Sequence, residues 1–223
     1  MSSFALKMIA VFSMLCDHFG YYYFHGQFSN WNFLGRLAFP IFAFQISEGY
    51  LHTSNLKRYF KRLFLFAVIS QIPFMLYESS IGFDFTLNIF FTLLLGLLCI
   101  FLFDKFQIKY YISIPCIVCI CIIGHFLQVD YGEWGILLIF LFYLCKNHKV
   151  ATFFAFFAMC VWKYIPYLIE YHFHPLYVWL TLATFSAIIP ILCYNGKLGL
   201  KTKYLLYIFY PLHLFLFYIA SLI

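Results

Sequence analysis

Charge is what this sequence has least of: Lys, Arg, Asp and Glu make up 10% of its 223 residues, against 65% hydrophobic and 25% aromatic. A soluble domain carries about a quarter charged residues to clothe its surface. A chain this poor in charge must turn its surface to lipid, which excludes a soluble domain of any kind. Several catalytic signatures are also missing. There is no Walker-type phosphate loop, no Gly-x-Ser-x-Gly, no His-Glu-x-x-His and no Gly-x-Gly-x-x-Gly opening a helix. The nucleotide, hydrolase and zinc-protease chemistries that need those geometries are set aside. No internal repeat or low-complexity tract is present. The first apolar stretch, Phe4 to Phe24, is interrupted by Cys16-Asp17-His18 and followed by no small-residue cleavage site, so it reads as a retained span. Eight cysteines lie mostly in apolar segments, where they act as small hydrophobes. The Cys116–Cys119 pair has no second ligand pair nearby, and no metal is expected.

What remains is hydrophobic runs, at 4–24, 33–52, 59–77, 87–103, 110–128, 134–145, 150–169, 175–193 and 203–222. A spanning helix needs roughly 20 mostly apolar residues. Nine of them use most of the chain, so the expected fold is all-α: one polytopic membrane helix bundle over 1–223 with about nine transmembrane helices. The sixth run is the shortest. A short, re-entrant or tilted element there, giving eight spans, stays open.

The connections carry a charge pattern. Lys57, Arg58, Lys61 and Arg62 follow run two, Lys105 and Lys109 run four, Lys146 and Lys149 run six, and Lys197, Lys201 and Lys203 run eight. The intervening loops hold Glu78, Asp84, Asp130, Glu133 and Glu170, with Lys163 as their cation. Alternation of this kind is the positive-inside pattern, and it places the N-terminus in the cytoplasm and nine spans in a bacterial cytoplasmic (inner) membrane. The formal charge of +6 is spread over separate loops and so implies no nucleic-acid partner.

Ionisable residues inside apolar spans are expensive and mark candidate sites. Asp17 and His18 in run one, Arg36 in run two and His213 in run nine lie deepest. Lys7 and Glu48 lie near the cytoplasmic ends of runs one and two. Lys7 and His18 are eleven residues apart, roughly 1,100° at about 100° each, so they share one helix face. Their separation along the axis is about 16 Å. Asp17 and His18, as neighbours, point apart; His18 then faces a cavity while Asp17 pairs with a cation from another helix, for which Arg36 is best placed. Histidine suits base work near neutrality. Asn88, Asp130 and Tyr131 are expected at the outer mouth of such a cavity. Asn88 also suits a helix cap, and Glu133 a solvated loop carboxylate. His213 follows Tyr210-Pro211-Leu212, where a proline kink hints at a cavity. His25, His52, His148, His172 and His174 fall in loops and receive no role.

Taken in order, several blocks resemble the TraX family. They are Leu6-Lys7-Met8-Ile9-Ala10, Asp17-His18-Phe19-Gly20, Leu34-Gly35-Arg36-Leu37-Ala38-Phe39-Pro40, Glu48-Gly49, Asn88-Ile89-Phe90-Phe91-Thr92-Leu93, Asp130-Tyr131-Gly132 and Tyr210-Pro211-Leu212-His213-Leu214. They extend from the first run to the ninth. The resemblance implies acetylation of the N-terminus of F-type pilin. More distantly, Lys7-x10-His18 is similar to a motif of transmembrane acyltransferases of the acyltransferase-3 type, which modify cell-surface sugars. By resemblance the acyl donor is acetyl-CoA, taken from the cytoplasmic side, and the acceptor is a membrane-embedded or envelope amine or hydroxyl, on a pilin-like peptide or a glycan. His18 is then the base, with Asp17, Arg36 and His213 around it. Lys7, Arg58, Arg62 and Glu48 form the donor site at the cytoplasmic face.

A transporter or proton-coupled channel using the same buried residues is the alternative; the missing repeat and the absence of paired broken helices argue against it. A non-catalytic assembly factor is a third reading, which the buried charges oppose. The loop charges make a first prediction. Single-cysteine labelling on a cysteine-free background should reach positions 57–62 only from the cytoplasm and position 130 only from outside. Labelling of position 130 solely from inside would overturn the scheme.

Overall fold

The computed structural model describes residues 1–106, 109–200 and 204–223; Lys201 and Lys203 of the expected basic loop lie outside the described residues. The described residues form eleven α-helices: α1 (Ser3–Tyr23), α2 (Asn30–Gly35), α3 (Ala38–His52), α4 (Leu56–Ser80), α5 (Ile89–Lys105), α6 (Tyr110–Phe126), α7 (Gly132–Leu144), α8 (Lys149–Glu170), α9 (Pro175–Ser186), α10 (Ile188–Leu192) and α11 (Leu205–Ala220). They fall in the nine runs expected, two of which are interrupted. The helix α1, the helix α4, the helix α8 and the α9–α10 run are each long and apolar enough to cross a bilayer.

The caps follow from local chemistry. Ser2 Oγ accepts from the Ala5 N–H, Asn55 Oδ1 from Arg58, and Asn88 Oδ1 from Phe90. Each satisfies an amide that the first helical turn leaves unpaired. Both interruptions lie three residues before a proline. Pro40 cannot donate to the carbonyl of Arg36, nor Pro190 to that of Ser186, so the ladder opens at Arg36–Leu37 and at Ala187. These breaks correct the expectation that paired broken helices are absent. At the first break the Ser13 hydroxyl donates to the carbonyls of Leu34 and Gly35, replacing part of what the helix lost.

The sixth run is short but central. The helix α7 is hydrophobic all round and is covered by α3, α5, α6 and α8. Trp134, Ile136, Leu138, Ile139 and Phe142 are all buried. A helix apolar on every side belongs in an interior, and this one is a core strut. Gly135 permits the approach: a Cβ there would meet Phe39 Cζ and Thr92 Cγ2, both at 2.7 Å.

The two ends of the bundle differ in charge. The N-terminal ammonium donates to Cys193 O (2.7 Å), the Ser3 N–H donates to Lys197 O (2.8 Å), and the Tyr50 and Tyr143 hydroxyls both donate to Asp104. These contacts gather the N-terminus and the C-terminal ends of α3, α5, α7 and α10 at one basic end. At the other end Leu87 and Val129 form an isolated bridge that ties the α4–α5 and α6–α7 connections together and holds Asp130. Lys163, read as a loop cation of that acidic end, instead lies within α8.

Gly135→Val should destabilise the bundle, because a Cβ and two methyls would enter the α3–α5–α7 junction. Overpacking of this kind costs about 1–3 kcal/mol. Thermal unfolding in detergent should show a lowered midpoint; an unchanged one would mean that the helices separate there at little cost.

Candidate functional site

At the acidic end a cavity of about 370 Å³ opens between α1, α4, α8 and the connecting loops. The break between α2 and α3 delivers Arg36 to it. The guanidinium Nη2 donates to Asp17 Oδ1 at 2.7 Å, and Nε donates to the carbonyl of Asn32. The Asn32 amide, fully buried, donates to both the backbone carbonyl and the side chain of Asp17 (3.0 and 3.1 Å). Asp17 is thus held from two directions by the turn that precedes the break. Gly35 makes this possible: a Cβ there would lie 2.2 Å from Asp17 Oδ1.

His18 points the other way, toward α11 and α4. Its Nδ1 lies 2.7 Å from His213 Nε2, and His213 Nδ1 lies 2.7 Å from the carbonyl of Phe209. A carbonyl only accepts, so His213 carries a proton on Nδ1, and in its neutral form it presents a lone pair at Nε2. That lone pair takes the Nδ1–H of His18, which leaves His18 with a basic Nε2. The ring is further fixed by Tyr77, which stands edge-on at 5.3 Å between centroids and donates its hydroxyl to the His18 carbonyl.

Lys163 shares the same cavity. Its ammonium lies over Trp134 (4.1 Å), Tyr131 (5.1 Å) and Tyr164 (5.6 Å), and among the described residues it has no ion pair. A cation held only by ring faces keeps its hydrogen-bond donors for an incoming group. Tyr131 itself is stacked on Phe39 at 3.7 Å. Asp130 projects into the cavity from the α6–α7 loop. The enclosing protein pushes its carboxyl up to about 7; Lys163 and Arg36 oppose this, while Asp17 adds to it. Glu78 and Asp84 complete an acidic rim.

The structure therefore brings Asp17, His18, Arg36, His213, Asp130 and Tyr131 together. Asn88 does not line the cavity: its amide donates to Ala67 O and Gln71 Oε1, its oxygen caps α5, and the side chain is fully buried. Lys7, Arg58 and Arg62 lie outside it too. Lys7 is half-buried near the start of α1, Arg58 is exposed, and Arg62 lies 5.5 Å from the ring of Tyr59. Glu48 lines a second cavity at the basic end, beside His52 (3.8 Å). Lys163 and Tyr77 were not anticipated as site residues. The one signal for Lys163 was a lysine counted among connections that otherwise carry only carboxylates.

The profile of the family described as TraX protein matches residues 2–221. The chain is also similar to a protein named "Probable fimbrial assembly protein FimC, serogroup H1" from Dichelobacter nodosus, at 28% identity over 96% of this chain and 93% of that one. No solved structure matches.

Breaking the Asp17–Arg36 pair should leave one charge enclosed and unpaired. Arg36→Gln and Asp17→Asn should each cost about 3–5 kcal/mol, and the two changes combined should cost less than the sum. Unfolding in detergent measures all three; additive losses would show that the two side chains are not coupled.

Proposed function

The chain belongs to the TraX family, and we propose that it is an integral membrane acetyltransferase, moving an acetyl group from cytoplasmic acetyl-CoA to an envelope acceptor. The observation that carries this reading is the relay from Phe209 O through His213 to His18, which leaves a basic nitrogen beside the acidic-end cavity. The family resemblance supports acetyl transfer to the N-terminal amine of pilin. The relative's name, a fimbrial assembly protein, fits a pilus-related role.

The chemistry follows from the side chains. His18 Nε2 takes a proton from the acceptor amine as its nitrogen attacks the thioester carbon; the C–N bond forms, the C–S bond breaks, and His18 returns the proton to the departing sulfur. His213 holds the Nδ1–H tautomer of His18 and so keeps Nε2 available. Arg36 is committed to Asp17, which leaves Lys163 as the donor able to turn to the developing oxyanion. The acidic rim suits an acceptor that arrives as an ammonium. In this orientation the N-terminus is cytoplasmic and the acceptor enters from outside.

The two broken runs are the observation that favours a transporter, since discontinuous helices mark transport sites. The two readings diverge in one assay. Purified protein in detergent, given labelled acetyl-CoA and a peptide with a free N-terminal amine, should incorporate label. His18→Ala should lower that rate by about 10²–10⁴ and keep CoA binding, while His213→Ala should give a smaller loss. A His18→Ala protein with near-normal turnover would remove His18 as the base. Proton-coupled flux in proteoliposomes with no acetyl incorporation would favour transport.

A further inference from the structure

At the basic end, opposite the His18 cavity, a second cavity of about 300 Å³ lies among the end of α3, the α7–α8 turn and the α10–α11 connection. Its rim carries Lys146, Lys149, His52 and His148, and its floor is apolar, with Phe44 and Phe142. Glu48 is the carboxylate on the rim. His52 lies beside it at 3.8 Å, and the Tyr194 hydroxyl, pushed up to about 12 by burial and by that carboxylate, is bonded to it. The start of α8 also faces this space through His148, Lys149 and Thr152, with no side-chain cap and no acidic residue in its first turn. Its positive end adds to the lysines.

The floor continues toward the reaction site. Phe44 of α3 meets Phe142 of α7 at 5.7 Å between centroids, and further along the same seam Phe39 stacks on Tyr131, which lines the His18 cavity. From Glu48 to Arg36 the seam runs about 18 Å along the helix axis. A cationic rim over an apolar floor, backed by the packed apolar seam of α3 and α7, suits a ligand with phosphates at one end and an extended arm at the other.

We propose that this second cavity holds the phosphate end of the acyl donor, with Lys146 and Lys149 as its cations, and that the thioester arm follows the α3–α7 seam to His18. The proposal rests on the acetyltransferase reading and deepens it. It moves the donor site away from Lys7, Arg58 and Arg62, which line neither cavity. Each lysine supplies a charge-assisted hydrogen bond to phosphate.

The test is calorimetric titration of CoA into the full chain in a neutral detergent. Lys146→Glu with Lys149→Glu should weaken CoA at least about tenfold, the ratio that a 1.4 kcal/mol loss gives. The paired Lys→Arg changes should retain most of the affinity. Lys109→Glu, an exposed reversal at the same end, should leave binding unchanged, which separates a site from a general field. An unfolding scan of each variant confirms that the protein compared is folded. Wild-type CoA affinity in the folded double Glu variant would overturn this site while leaving the acetyltransferase reading intact. Equal weakening by Lys109→Glu would also overturn it. A wild-type chain that binds no CoA would sink both.

Discussion

The ion pair between Asp17 and Arg36 is the contact on which the acidic end is built. A charge inside a helical membrane bundle is costly, and it persists only with a partner and with its remaining hydrogen-bond capacity satisfied. Both conditions are met by one local device. Pro40 withholds an amide from the Arg36 carbonyl, so the helix opens there and the guanidinium swings toward α1. The preceding turn then supplies Asn32 to Asp17, and Ser13 from α1 supplies a donor to the carbonyls freed at the break. Asp17, drawn to that side, leaves His18 facing α11. The same break therefore sets the back wall of the cavity and the direction of the histidine.

The core that carries this device is shaped by α7. Because it is apolar on every side, it is surrounded by α3, α5, α6 and α8, and its residues form a seam with α3 from one end of the bundle to the other. Aromatic rings dominate that seam: Phe44, Phe142, Phe39, Tyr131 and Trp134. Their faces cover area without polar groups to satisfy, and at the acidic end the same rings hold the Lys163 ammonium. Packing and electrostatics at the site thus share residues.

Composition alone made the membrane bundle legible, and the hydrophobic runs gave nine segments close to those observed. The pairing of Asp17 with Arg36 was readable because two buried opposite charges near the same end have few other partners. The breaks were not foreseen, though their cause was visible: Pro40 and Pro190 each follow an interruption by three residues. Proline is tolerated in many spanning helices, as Pro73, Pro115, Pro166 and Pro211 are here, so its presence alone does not mark a break. Asn88 was misplaced because a capping side chain and a cavity side chain have the same sequence signature, and only tertiary contacts with Ala67 and Gln71 decide between them. Lys163 escaped notice because it was counted among the loop charges, although it lies inside the seventh hydrophobic run and inside α8. Lys146 and Lys149 were read as topology signals, and no one-dimensional pattern shows that three separate connections fold their residues around one cavity.

The distribution of charge in the acidic-end cavity bears on how a proton would be handled there. Asp17 and Arg36 are paired with each other, and Asn32 bonds to both. What remains is the hydrogen-bonded pair of His18 and His213, the cation of Lys163, and the carboxyls of Asp130, Glu78 and Asp84. In the proposed transfer an incoming amine would arrive as an ammonium beside these carboxyls and would shed one proton before its nitrogen attacks. In that proposed transfer Asp130, held near 7, would take that first proton, and His18 would take the second as the bond forms. The two proton transfers would then fall to different side chains of one cavity, which also holds Lys163.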